Sequence, residues 1–259
     1  MKNRNLKRNN SGQVIVITAL MVAMVLLSTA IFVIETEKDV PTASDIDTNN
    51  VFAAYQQAAK STVISALTNI TNGGDPSILT ADLNELDSLI TSHSYQSILQ
   101  MNFTPLNQAP YQTGIWISWG TDGQGISSAC VTLNANSTGP SSTSTLEYAI
   151  NITSQVNLSG SYLQLNGTLN QVNLTVNVLN EGKLALAQSF TFYYEDAASS
   201  TENWTQVTSP SITDFGNGTY VVSFNAQTQQ PGDPLLASVH CLDQRGIIIC
   251  ANVTCTNFE

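Results

Sequence analysis

The feature that most constrains this chain is an unbroken apolar run from Val14 to Ile34, VIVITALMVAMVLLSTAIFVI, with no charge in it. As a helix rising about 1.5 Å per residue it is roughly 31 Å long, one bilayer core. Lys2, Arg4, Lys7 and Arg8 precede it and no acid does. All 19 acidic residues lie beyond it, accompanied only by Lys38, Lys60, Lys183 and Arg245. Basic flanks stay in the cytoplasm, so the asymmetry orients the acidic bulk outward. The pattern predicts a cytoplasmic basic leader over 1–12, a transmembrane helix over 13–34 and an extracytoplasmic remainder in contact with membrane lipid only through that helix.

The chain beyond the apolar run is acidic, and the net charge of the whole is −11. No basic cluster exists outside the leader, which excludes a nucleic-acid partner, because phosphates need grouped Lys and Arg. Charged residues make up only 10% of the chain, against roughly a quarter in ordinary domains. Solubility must then come from Asn, Ser and Thr, or from what they carry. Ten Asn-x-Ser/Thr sequons lie beyond the run, at Asn69, Asn102, Asn136, Asn151, Asn157, Asn166, Asn173, Asn203, Asn217 and Asn252. That is about twice what random placement gives, and it points to an N-glycosylated, archaeal or eukaryotic surface protein.

Four cysteines, Cys130, Cys241, Cys250 and Cys255, fall on the outer side, where disulfides persist. A hairpin with a two- or four-residue loop around Asp243–Gly246 would put Cys241 and Cys250 on one face. Cys130 and Cys255 would then form a second bridge. Zinc is not indicated, since there is no Cys-x-x-Cys and neither His93 nor His240 completes a four-ligand set.

The leader junction allows three arrangements. Ser28-Thr29-Ala30 offers a signal-peptidase site, although apolar residues continue to Ile34. An uncleaved signal anchor needs no further feature. The stretch Lys7-Arg8-Asn9-Asn10-Ser11-Gly12-Gln13-Val14 resembles a class III, prepilin-type signal, as in archaeal type IV pilin-like and Tad-type proteins. The resemblance covers about 30 residues. It implies cleavage between Gly12 and Gln13, with the apolar helix retained and packing against like subunits. Many pilins carry Glu at the fifth mature position, where this chain has Ile17.

Beyond Pro41, Val51, Tyr55, Ala59, Val63, Leu67 and Ile70 recur at helical spacing, ending at Asn72-Gly73-Gly74. Leu79, Leu83, Leu86, Ile90, Ile98 and Met101 continue that spacing in a second helix, so a helical hairpin is expected. Ile115–Trp119 and Ile126–Leu133 alternate about a glycine-rich turn, as a β-hairpin. A strand after the glycines excludes a phosphate loop there, which needs a helix N-terminus. The domain plan is thus a helical hairpin plus β-hairpin over 35–133, a Ser/Thr/Gly/Pro linker over 134–145 and an all-β module over 146–259. The segment Asp214-Phe215-Gly216-Asn217-Gly218-Thr219-Tyr220 resembles the late hairpin of immunoglobulin-like modules, which implies an immunoglobulin-like sandwich. The expected fold class is α+β.

Catalytic chemistry is sparse. His93 sits on a polar helix face, and His240 and Cys241 are adjacent strand residues that point apart, so neither forms a nucleophile pair. Asp82, Glu85 and Asp87 form an exposed acidic helix face rather than an acid–base pair. Trp116, Trp119 and Trp204 are the residues suited to stacking on a sugar or peptide, with Trp116 and Trp119 on opposite faces of their strand. No catalytic, cofactor or metal residue is assigned. The expectation is a non-enzymatic, single-pass surface glycoprotein, either a pilin-like or pseudopilin-like subunit or a singly anchored adhesin.

Overall fold

The structure, a computed structural model, describes residues 48–93, 98–120, 122–138, 143–196, 204–230, 232 and 234–258. The apolar run and the Gly12–Gln13 junction lie outside these residues. Among the described residues, no helix is long and apolar enough to cross a membrane. Residues 52–259 form one compact unit.

Among the described residues two helices come first, α1 (Thr48–Thr71) and α2 (Ile78–His93). Ala59, Val63, Ala66, Leu67 and Ile70 bury one stripe of α1. Gly73, at φ +96°, ends it, because its N–H reaches Ile70 O and the Gly74 N–H reaches Asn69 O. That pairing satisfies the last carbonyls in the left-handed turn that glycine adopts without strain. The Asp75 carboxylate accepts the Ser77 N–H at 2.8 Å just before α2, and this bond holds its pKa below the ordinary value.

Twelve strands follow among the described residues: β1 (Ile98–Pro105), β2 (Ile115–Trp119), β3 (Gln124–Thr138), β4 (Thr143–Asn166), β5 (Leu169–Asn180), β6 (Lys183–Leu184), β7 (Ala187–Asp196), β8 (Thr205–Gln206), β9 (Ser211–Asp214), β10 (Thr219–Gln227), β11 (Leu235–Asp243) and β12 (Ile248–Asn257). Their order is β8-β7-β11-β12-β4-β5-β10-β9. β3 lies against β4, β1 and β2 share the far edge of β3, and β6 pairs with β5.

The 24-residue β4 is the common axis. On one side β3 pairs with it from Thr143 to Asn157, and on the other β5 pairs with it from Ser154 to Asn166. Past the end of β3, β12 joins the vacated edge in parallel at Ser161 and Tyr162. Ile150, Ile152, Ser154, Val156, Leu158 and Tyr162 are buried on a single face of β4 while the residues between them reach solvent. Alternation of this kind means one covered face and one wet face.

Two covers share that face. Over the first half, Phe52, Tyr55 and Ile90 pack with Leu133, Ala135 and Leu146. Over the second half lie β7, β11 and β12. A Cβ on Gly160 would sit 2.6 Å from Cys255 Sγ. Phe190 meets Tyr220 edge-on at 4.7 Å, and Tyr194 approaches Phe224 at 6.2 Å.

The β11–β12 turn locks both covers to β4. Asp243, fully buried, accepts the Arg245 and Ile247 N–H groups on Oδ1 at 2.8 and 2.9 Å. Its Oδ2 accepts Ser154 Oγ at 2.6 Å and Arg245 Nε at 2.9 Å. Arg245 Nη2 donates to Ser154 Oγ and to Thr153 O, and its Nη1 pairs with Glu181 at 2.6 Å. The helix side closes the same turn. Thr68 Oγ1 donates to Arg245 O at 3.1 Å, Asn72 Nδ2 to Gly246 O at 3.3 Å, and the Ile248 N–H to Thr71 Oγ1 at 3.2 Å.

This architecture corrects the expected fold class. Among the described residues strand accounts for 58% and helix for 19%, and they form a curled, predominantly β structure rather than an α+β chain ending in a separate immunoglobulin-like sandwich. The helices do not form their own domain with a small sheet, because their apolar stripe shares one core with the strands. Of the stretch read as a linker, residues 134–138 and 143–145 belong to the far end of the β3–β4 ladder, where Asn134 pairs with Glu147 and Thr138 with Thr143, and 139–142 lie outside the described residues. Ile98 and Met101, read as helical, belong to β1.

Replacing Arg245 by Ala leaves the Asp243 carboxylate buried without its cation. The expected loss is about 3–5 kcal/mol, read as a lowered midpoint in urea unfolding. A loss below about 1 kcal/mol, the scale of an exposed pair, would contradict the role given to this turn.

Candidate functional site

The outer face of β7, β11 and β12 gathers aromatic and polar side chains on one surface. Antiparallel register sets His240 opposite Cys250 and Ser238 opposite both Asn252 and Tyr193, so all five share one face. The chain before β8 brings Trp204 to one edge, and the end of β2 brings Trp119 to the other. Together they line a half-open trough of about 450 Å³. Trp119 is 41% exposed, and its Nε1 donates to Ser127 Oγ at 3.2 Å. The Tyr193 ring lies 4.9 Å from the His240 ring.

Glycine makes this juxtaposition possible. The Asn252 N–H donates to Gly120 O at 3.1 Å, and the Gly123 N–H donates to Asn252 O at 2.9 Å. Ser127 Oγ donates to Ile248 O at 2.7 Å. These bonds draw β12 so close to β3 that a Cβ on Gly125 would stand 2.2 Å from Cys250 O. Only glycine fits there.

Sequence reasoning named Trp119, Trp204 and His240 singly and had no means of bringing them together, because the order β8-β7-β11-β12 is a tertiary fact. Trp116 lies apart, edge-on to Tyr111 at 5.8 Å. The acidic trio is divided. Asp82 and Glu85 line a groove of about 220 Å³ between the helices, while Asp87 lines a separate cleft of about 450 Å³ with Asn102, Asn134 and Asn136. His93 is the last residue of α2. Among the described residues no group of three or more His, Cys, Asp or Glu is placed to hold a metal.

The four cysteines are free thiols, and the expected bridges are corrected by geometry. Asp243 N–H bonds to Ile247 O, so the hairpin loop has three residues, with Gly246 at φ +84°. This odd loop pairs Cys241 with Ile249, not with a position on the face of Cys250, and the two sulfurs point to opposite sides. Cys130 pairs with Asn151, whose side of β4 is exposed, while Cys255 packs against Gly160 on the buried side.

Burial pushes the Cys250 thiol up to about 11 and Cys255 to about 12. Cys241 is pushed up to about 12, first by burial, then by the nearby Asp243 and Cys250. Cys130 is raised by burial, and burial lowers the His240 imidazole. Cys250 and His240 therefore face each other as a neutral thiol and a neutral ring near pH 7. A thiolate nucleophile needs the opposite shifts.

Nine of the ten sequon asparagines lie among the described residues. Asn69, Asn102, Asn136, Asn151, Asn166, Asn173 and Asn217 are exposed, and Asn157 and Asn252 are partly so. Asn203 lies outside the described residues. Asn170, which is in no sequon, is 1% exposed.

No family model and no curated protein matches the sequence.

The raised thiols give a signed pH dependence. The folded state keeps protons that the unfolded chain releases above about pH 9, so stability falls as pH rises from about 9 to about 12. Urea midpoints measured across that range should decline, and the decline should shrink in Cys241→Ala. Alkylation after unfolding, read by intact mass, should show four reactive thiols. A mass lower by two hydrogens for each pair of missing thiols would instead reveal bridges.

Proposed function

We propose that this chain is a non-enzymatic, membrane-anchored surface glycoprotein with a structural role, held by the helix over 13–34 and displaying its β body outside the cell. The observation that carries this reading is where the sequons fall. In a body that buries Asn170, every described sequon asparagine keeps access to solvent. Uncharged, Asn- and Thr-rich strand faces suit a surface shielded by glycans rather than by ionic groups.

The Gly12–Gln13 junction supports a pilin-like or pseudopilin-like subunit, whose retained apolar helix would pack with like subunits. A second reading, a singly anchored adhesin, is favoured by the aromatic trough, since two indoles and a phenol over neutral hydrogen-bonding groups suit a ligand with an apolar face. Neither reading assigns a cofactor, a metal or a nucleic-acid partner.

Mass spectrometry of the protein extracted from its native membrane tests the processing step. A chain beginning at Gln13 is the expected result, and one beginning at Met1 or Lys2 would favour the plain anchor. Protease added to intact cells should digest the 52–259 body. Protection until the cells are lysed would overturn the surface assignment.

A further inference from the structure

Asn252 differs from the other described sequon asparagines in what surrounds it. It forms part of the trough wall, with Trp119 and Trp204 at the two edges and Tyr193, Ser238 and His240 between them. Its backbone is fixed by the bonds to Gly120 and Gly123. No hydrogen bond among the described residues engages its side-chain amide. Thr254, the third residue of its sequon, is exposed. Among the described residues the lining carries no ionised group near pH 7. Among the described residues, the cleft that holds Asn102 and Asn136 has no aromatic ring in its lining.

An indole face meets the C–H face of a pyranose well, and neutral Ser, His and Tyr groups match its hydroxyls without the cost of burying charge. A volume of about 450 Å³ falls in the range of small-ligand pockets. We propose that the trough is the seat of the first sugar of a glycan carried by Asn252 itself, which fills the aromatic surface and adds to the stability of the β11–β12 cover. The proposal rests on the glycoprotein reading and specifies one site within it. In the modification, Asn252 Nδ2 bonds to the anomeric carbon of a lipid-phosphate-linked sugar supplied by the cell's transferase. The bond from that carbon to the phosphate oxygen breaks, and the amide proton leaves with the released lipid phosphate.

The test uses the full chain made in a host that N-glycosylates and in one that does not. Peptide mass spectrometry should find a sugar on Asn252. Thr254→Ala removes that sequon and leaves Asn252 in place. In the glycosylating host it should lower Tm by about 2–4 °C more than in the other host. Thr104→Ala, which removes the Asn102 sequon, should show no such host-dependent difference. Trp119→Ala should abolish the difference at Thr254, as coupled neighbours require. Trp204→Ala, at the opposite edge, gives the same reading if the Trp119 variant does not fold. Sugar on other sequons with Asn252 bare overturns the seat alone, and so does a modified Asn252 whose loss changes Tm equally in both hosts. Tryptophan-monitored binding of free N-acetylglucosamine to the protein that carries sugar on Asn252, whose trough should already be filled, would assign the trough to an external ligand and overturn it. Every sequon bare in the native membrane would instead remove the glycoprotein reading on which the proposal stands.

Discussion

The structure depends on a single buried carboxylate. Asp243 sits with no solvent access and four donors around it, from Ser154, the Arg245 side chain and the Arg245 and Ile247 backbones. A charge in that position is costly unless each of its lone pairs is met. Meeting them fixes the β11–β12 turn against β4 at the point where the two covers of that strand adjoin. The end of α1 then bonds to the back of the same turn through Thr68, Thr71 and Asn72. Apolar burial supplies most of the attraction on both sides, but it is non-directional. The polar clasp sets which part of β4 each cover occupies.

That fixed register has a consequence on the opposite face of the hairpin. Because the turn has three residues, His240 and Cys250 look outward together while Cys241 and Cys255 look inward. The inward sulfurs become buried thiols with raised pKa values. The outward pair forms the floor of a trough that needs Gly125 on one side, for close approach, and the β7–β8 pairing on the other. One turn thus determines both what the cysteines do not do and where the aromatic residues gather.

Much of the local structure is legible in the sequence. The α1 stripe and its Gly73–Gly74 stop, and the even-numbered apolar positions of β4 from Ile150 to Leu158, follow from periodicity and turn chemistry. In β2 only Ile115 is buried, and Ile117 and Trp119 are exposed. The longer-range arrangement is not legible. Ile98 and Met101 fall at helical spacing from Ile90, yet the chain turns into β1, since three apolar residues fit either period. Asn134–Thr138 has the composition of a linker, but a ladder of backbone bonds to β4 holds it as strand. The cysteine faces turned on the difference between an even and an odd loop, which reverses every side chain beyond it. The trough needed strand neighbours that no local pattern encodes.

The clasp makes the helical cover and the β cover open together. Native-state hydrogen exchange at low denaturant measures this directly. Amides of Ala59–Ile70 in α1, of the buried half of β4 and of β11–β12 should exchange through one opening, with one free energy and one denaturant dependence. Exchange of the α1 amides through a separate, lower-energy opening while β4, β11 and β12 stay protected would contradict it.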